Sequence, residues 1–167
     1  MPSPRSKPPL PRWQGSPELE RGTRLAIDVG SVRVGVARSD PDGILAVPEV
    51  TLARDSLTMQ RIGALVEEHS AAIVYVGLPL GLDGQVGTAG ALAEEFAAAL
   101  ARSIAVPVHL VDERLSTVSA QRSLQAAGKS TRESRAYVDQ AAAVVILDAA
   151  LARERAARAR AGRAVCV

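Results

Sequence analysis

The segment Leu25-Ala-Ile-Asp28-Val-Gly30-Ser-Val-Arg33-Val-Gly35-Val-Ala37 decides the fold that we expect for this chain. Its β-branched runs flank one carboxylate and a pair of glycines, which is the pattern of two buried strands joined by a tight hairpin. Asp28 then lies at the C-terminal end of a buried strand. Because a buried carboxylate is unfavourable unless a cation meets it, the pattern raises the question of what Asp28 faces.

The length and composition indicate one globular domain built around small aliphatic side chains. Hydrophobic residues make up 47% of the 167 residues and aromatic residues only 2%, so base stacking on aromatic rings is not expected. The sequence has no secretory signal and no apolar run of about 18 residues, so neither export nor membrane insertion is supported. Its one cysteine, Cys166, is typical of a reducing compartment, and we expect a cytoplasmic protein.

Three regions are expected along the chain. Residues 1–22 hold six prolines among charges and serines, and predict a disordered leader. Residues 23–152 carry the alternating apolar pattern of an α/β domain. Residues 153–167 predict a basic tail compatible with a polyanionic partner, because they contain Arg153, Arg155, Arg158, Arg160 and Arg163.

Short apolar runs predict a mixed five-stranded sheet. The runs Leu25 to Val29, Val34 to Ala37 and Ile44 to Val50 follow one another through tight turns and predict an antiparallel meander. Ile73 to Val76 and Val106 to Val111 alternate with helical patterns and predict two parallel strands. Helices are expected after Asp55 or Ser56, through Leu92, Phe96 and Leu100, from Ser116 to Ala127, and from a capping box at Ser130 past Ala150.

Three acids stand at unusual positions in this pattern. Asp28 and Glu113 each end an apolar strand, and Asp139 interrupts the core-facing stripe of the last helix. If that helix crosses the carboxyl edge of the sheet, the three carboxylates converge, and crowded acids ordinarily bind hard divalent cations through oxygen. Two Mg²⁺ or Mn²⁺ ions held in this way suit phosphodiester hydrolysis. Each acid also has a purely structural interpretation: a turn for Asp28, and an ion pair with a nearby arginine for Glu113 or Asp139.

Four ordered motifs between Arg24 and Leu151 resemble the YqgF/RuvX family. They are Asp28-Val-Gly-x-x-Arg33-x-Gly35, Gly77-Leu-Pro-Leu80 with Asp83-Gly84, Asp112-Glu-Arg-Leu-Ser-Thr117, and Asp139-Gln-Ala-Ala-Ala-Val-Val-Ile-Leu147. This resemblance implies the ribonuclease H-like fold of small nucleases, described as Holliday junction resolvases and as enzymes that mature the 5′ end of pre-16S rRNA.

The resemblance also implies roles for particular residues. The metal-binding acids of the family fall on Asp28, Glu113 and Asp139, and Arg114, Ser116 and Thr117 are suited to the phosphates of the scissile strand. The loop from Gly77 to Gly87, including Gly84, would offer backbone N–H groups to a neighbouring phosphate, although plain turn chemistry remains open. The family often has Lys where Val32 stands, Asn where Gly81 stands and lysines in the segment Ser130 to Arg135. Arg33, Arg132 and Arg135 are therefore expected to keep the substrate-binding charge.

We therefore expect a Mg²⁺- or Mn²⁺-dependent endonuclease that acts on structured nucleic acid. The first candidate reaction is 5′-end maturation of pre-16S rRNA, in contact with a ribosomal particle; the alternative is resolution of four-way DNA junctions, which needs a dimer. The sequence leaves monomer and homodimer open. A non-catalytic nucleic-acid-binding module is a further alternative, whereas an actin-like ATPase would need a second domain of the same kind.

Overall fold

The structure is a computed structural model that describes residues 21–115 and 132–166. Residues 1–20 of the expected leader, the helix expected from Ser116 to Ala127 and the capping residue Ser130 lie outside the described residues, as do Ser116 and Thr117.

A mixed sheet forms the centre of the described fold. Its strands are β1 (Thr23–Val29), β2 (Arg33–Ser39), β3 (Ala46–Ala53), β4 (Ala71–Leu78), β5 (Val108–Asp112) and β6 (Arg163–Ala164), in the order β3-β2-β1-β4-β5-β6. The first three strands pair antiparallel, and β4 and β5 continue the sheet in parallel with β1. The predicted meander and parallel pair are confirmed. The prediction of five strands was one short, since the two-residue strand β6 pairs antiparallel with β5.

Helices cover both faces of this sheet. The described helices are α1 (Thr58–Glu68), α2 (Thr88–Ser103) and α3 (Arg132–Ala157), and a single 3₁₀ turn follows β5 at Glu113–Leu115. Alternation along β1 explains the two layers, because Leu25 and Ile27 face α1 and α2 whereas Ala26 faces α3. Ala26, Gly35 and Ala37 have small side chains or none, which lets α3 approach β1 and β2 closely.

The expected Arg-rich tail is part of the fold. Helix α3 continues to Ala157, and the chain then returns as β6 along the edge of the sheet. Glu154 is buried and accepts hydrogen bonds from Arg24 at 3.0 Å, from Arg160 at 3.3 Å and from the Tyr75 hydroxyl. The segment after residue 152 is therefore anchored by buried charges. In the part of the chain that the structure describes, no helix has the length and apolar character that crossing a membrane requires.

Candidate active site

Asp28 ends β1 on the face that packs against α3. Asp28 is two residues after Ala26, so both side chains lie on the same face of the strand, and only 7% of the surface of Asp28 is exposed. Its neighbours across the sheet are both glycines: Gly35 is its antiparallel partner on β2, and Gly77 follows Val76, the parallel partner of Ile27. Asp28 therefore lies between two positions that have no side chain.

Gly35 allows helix α3 to lie directly on the sheet beside Asp28. A Cβ atom at this position would collide with the backbone carbonyl oxygen of Asp139, and would lie 3.2 Å from the backbone nitrogen of Gln140. Backbone atoms of a packed helix cannot move aside as the end of a flexible side chain can. The glycine thus fixes Asp139 next to the strand pair that carries Asp28.

Gly77 makes room for a second acid on the other side of Asp28. A Cβ atom at Gly77 would collide with Glu113 Oε1 and would lie 2.6 Å from Ile146 Cδ1. The Glu113 carboxylate therefore extends over β4 towards β1. We expected the N–H group of Gly77 to bind a phosphate, but Gly77 lies within β4, paired to the neighbouring strands, and what it contributes to the site is space.

Burial dominates the electrostatics of Glu113. Its exposed fraction is 3%, and burial raises its pKa from 4.5 to about 7, with a smaller contribution from the negative charge of Asp112. Asp112 points away from this site and accepts hydrogen bonds from Arg114, which lowers the pKa of Asp112. Arg114, which follows Glu113 in the sequence, therefore pairs with Asp112.

Asp139 does not complete a cluster of three acids in this structure. Its Oδ2 atom lies 2.7 Å from Arg33 Nε. Within residues 21–115 and 132–166, no three acidic, histidine or cysteine side chains are arranged to hold a metal ion. The expected convergence of three carboxylates is thus corrected: two acids flank Gly77, and the third is engaged by an arginine.

Arg114 lies beside the loop between β4 and α2. Its guanidinium is close to Gly84, where a Cβ atom would be 3.1 Å from Nη1. The N–H group of Gly84 donates to the Gly81 carbonyl at 2.8 Å, so the expectation that it binds a phosphate is not supported. The loop organises its own backbone, because Gly81 in turn donates to the Gln85 carbonyl at 2.9 Å. The turn interpretation of this loop is the one that the geometry favours.

Arg54 braces the turn that follows Asp28. It donates from its guanidinium to the Gly30 carbonyl at 3.2 Å, and its backbone N–H donates to the Val32 carbonyl at 2.9 Å. The same guanidinium lies 5.9 Å from the centre of the Phe96 ring. Arg54 is 26 residues from Asp28 in the sequence, and no local pattern singled it out; the glycines inside strand patterns at 35 and 77 were the signal of a close approach.

The donor atoms fit a hard divalent cation. Asp28 and Glu113 offer only oxygen atoms, which is the donor type that Mg²⁺ and Mn²⁺ take. A cation between them would also keep Glu113 ionised against the burial that raises its pKa. Asp139, whose Oδ2 atom is paired with Arg33, would be a further ligand.

The sequence of this chain is similar to those of known proteins. The profile of the RuvX family, described as Holliday junction resolvase, matches residues 22–153. A protein of Mycolicibacterium paratuberculosis is 52% identical over 158 residues, covering 92% of this chain and 95% of that protein. One of Mycobacterium leprae is 55% identical over 141 residues, covering 83% and 77%, and both carry the name "Putative pre-16S rRNA nuclease".

Structural comparison supports the fold. A solved structure of RuvC, described as "T. thermophilus RuvC in complex with Holliday junction substrate", superimposes with a TM-score of 0.55 at 13% identity. The match covers 83% of this chain and 98% of that chain. RuvC has the ribonuclease H-like fold, so the fold predicted from the sequence is confirmed.

Proposed function

Because this chain belongs to the RuvX family, we propose that it is a divalent-metal-dependent endonuclease that hydrolyses phosphodiester bonds in structured nucleic acid. The single observation that supports this most is the burial of Asp28 and Glu113 on either side of Gly77. Structural acids rarely pack together away from water, because each additional negative charge raises the cost of ionising the others.

In this proposal Asp28 and Glu113 hold one or two Mg²⁺ or Mn²⁺ ions, with Asp139 as a further ligand. Bound ions of this kind supply a lowered pKa for the attacking water and neutralise charge on the leaving 3′-oxygen. The chain's own part is to fix the two carboxylates on rigid strand ends and to exclude water from around them. Arg114, at the exposed rim beside Gly84, would hold a phosphate of the cut strand, as would Ser116 and Thr117.

We further propose that the substrate is the 5′ end of pre-16S rRNA. Support comes from the names of relatives that are 52% and 55% identical to this chain. Such a substrate is met in the cytoplasm and on a ribosomal particle. It can be cut by a monomer, because a single strand is cleaved at one site.

The second candidate is resolution of four-way DNA junctions, which is the activity named for the matching family profile. A symmetrical pair of cuts needs two active sites and hence a homodimer. Sedimentation of the purified chain with and without a junction therefore discriminates between the two substrates. A monomer that cuts only precursor rRNA supports the first, and a dimer that makes paired cuts supports the second.

The test of the catalytic proposal is cleavage by the purified full-length chain with Mg²⁺, with Mn²⁺ and with EDTA. Asp28→Asn and Glu113→Gln should abolish cleavage of precursor rRNA ends and of junctions, while binding in EDTA is kept. Asp148→Asn is the matched control, because Asp148 is an exposed acid on the far side of α3. Wild-type cleavage by Asp28→Asn would show that the chain cuts by other residues, and binding without cleavage by the wild type would show a non-catalytic binding module.

A further inference from the structure

The ion pair between Arg33 and Asp139 joins two residues that are both expected to act in the same reaction. Arg33 begins β2 on the hairpin that follows Asp28, and its Nε atom lies 2.7 Å from Asp139 Oδ2. The two side chains are 31% and 24% exposed, so the pair is shielded from bulk water on one side and accessible on the other. A guanidinium in this position can be reached by a phosphate from solvent.

The charges explain why Asp139 is held in this way. Asp28 and Glu113 already place two buried carboxyl groups beside Gly77. A third carboxylate directed at them without a cation would raise the repulsion further. Arg33 offsets the charge of Asp139 on the opposite side of Asp28, above Gly35.

We propose that Arg33 keeps Asp139 out of the metal site until a phosphate of the nucleic acid binds the guanidinium. This inference rests on the proposed nuclease function and deepens it. Arg33 is then a positioning residue that couples two events: phosphate binding releases Asp139, and Asp139 adds a ligand to the divalent cation. Arginine suits the exchange because its planar donors bind carboxylate and phosphate in the same manner. By linkage, the cation and the nucleic acid each tighten the binding of the other by one common factor.

The first measurement is Mn²⁺ affinity without nucleic acid, by calorimetry or by the electron paramagnetic resonance signal of free Mn²⁺. Arg33→Ala should bind Mn²⁺ about five-fold or more tightly than the wild type, the lower end of ordinary coupling between sites. Arg38→Ala is the matched control, because Arg38 lies on the same strand and pairs with Glu49 at 2.6 Å. Equal Mn²⁺ affinities for Arg33→Ala and the wild type would overturn the inference.

A double-mutant cycle separates this mechanism from simple removal of a positive charge. In an Asp139→Asn background, Arg33→Ala should no longer change the affinity for Mn²⁺, because the ligand that Arg33 withholds is gone. A gain in affinity that persists in this background would show a general field effect and would overturn the inference.

The second half of the exchange is tested in EDTA, where no cleavage occurs. The probe is a fluorescein-labelled RNA hairpin with a single-stranded 5′ extension. Asp139→Asn should tighten its binding by freeing Arg33, and this gain should be lost when Arg33→Ala is also present. An equal gain with and without Arg33 would contradict the exchange.

Failure of this inference is distinguishable from failure of the proposed function. If Asp28→Asn abolishes cleavage while Arg33→Ala leaves Mn²⁺ affinity unaltered, the nuclease proposal stands and the coupling is wrong. If Asp28→Asn and Glu113→Gln change neither cleavage nor Mn²⁺ binding, the proposed metal site at Asp28 and Glu113 is wrong and the coupling falls with it.

Discussion

The carboxylate of Glu113 lies over Gly77, in the space that any side chain at position 77 would occupy. Two residues that are 36 positions apart therefore constrain each other: the acid can reach towards Asp28 only because the strand between them carries a glycine.

Gly77→Ala should damage both the site and the fold. The new methyl group would meet Glu113 and Ile146, whose Cδ1 atom is 2.6 Å away, and overpacking of this kind costs about 1–3 kcal/mol. Displacement of Glu113 should also remove Mn²⁺ binding and cleavage. Urea unfolding and a cleavage assay measure the two effects.

The control for that change is Gly63→Ala in helix α1. The nearest atom that a Cβ would contact there is Ile104 Cγ2 at 3.9 Å, so the substitution should stabilise the protein by about 0.5–1 kcal/mol through helix propensity. A Gly77→Ala protein that is as stable and active as the wild type would show that Glu113 does not depend on this space.

The buried Glu113 should make the metal-free protein less stable as the pH rises from about 4.5 to about 7. Its pKa in the folded state, about 7, is above the ordinary 4.5, so the folded state binds more protons than the unfolded state throughout this window. The free energy of unfolding therefore falls as the pH rises, by up to about 3 kcal/mol, because a shift of one pKa unit corresponds to about 1.36 kcal/mol. Below pH 4.5 and above pH 7 this contribution is constant.

Glu113→Gln isolates this effect, because it cannot titrate. The free energy of unfolding of both proteins is measured with urea in EDTA at pH 5 and pH 8. The value for the variant minus the value for the wild type should increase as the pH rises. A difference that is the same at both pH values would mean that the pKa of Glu113 is ordinary.

Glu154→Gln should be strongly destabilising. Arg24 is buried and pairs with Glu154 at 3.0 Å, so the substitution leaves an uncompensated buried charge, which costs about 3–5 kcal/mol. Asp42→Asn breaks the exposed ion pair with Arg21 and should leave the urea midpoint unchanged. Equal midpoints for Glu154→Gln and the wild type would show that the buried pair contributes nothing.

Arg114→Ala should weaken binding of nucleic acid in EDTA with little loss of stability. If Arg114 contacts one phosphate, the slope of log affinity against log salt concentration should fall by about one. Arg102→Ala, at the last turn of α2 and the far end of that helix from the Gly84 loop, should leave the slope unaltered. An unchanged slope for Arg114→Ala would remove Arg114 from the proposed interface.

Local patterns predicted the elements that carry the site. The alternation of β1 places Asp28 on the α3 face, and alternation past Val111 favoured Glu113 over Asp112 as the inward acid, which agrees with the packing against Gly77. The metal-binding roles of Asp28, Glu113 and Asp139 stay predictions.

Contacts between distant residues were beyond reach of the sequence. An ion pair with an arginine was one interpretation of Asp139, but its partner, Arg33, is 106 residues away and no local pattern could name it. The basic tail was mistaken for a separate region because a two-residue strand has no periodicity and because charge alone does not reveal a buried partner. Truncation after Leu151 would remove Glu154 and β6, so it tests folding rather than the salt dependence of binding.

The residue that neutralises Arg24 is 130 positions further along the chain. During translation at about 5–20 residues per second, the first strand must therefore wait roughly ten seconds for its buried counter-charge. A polypeptide that ends before Glu154 would have to bury Arg24 without its counter-charge, which is strongly unfavourable.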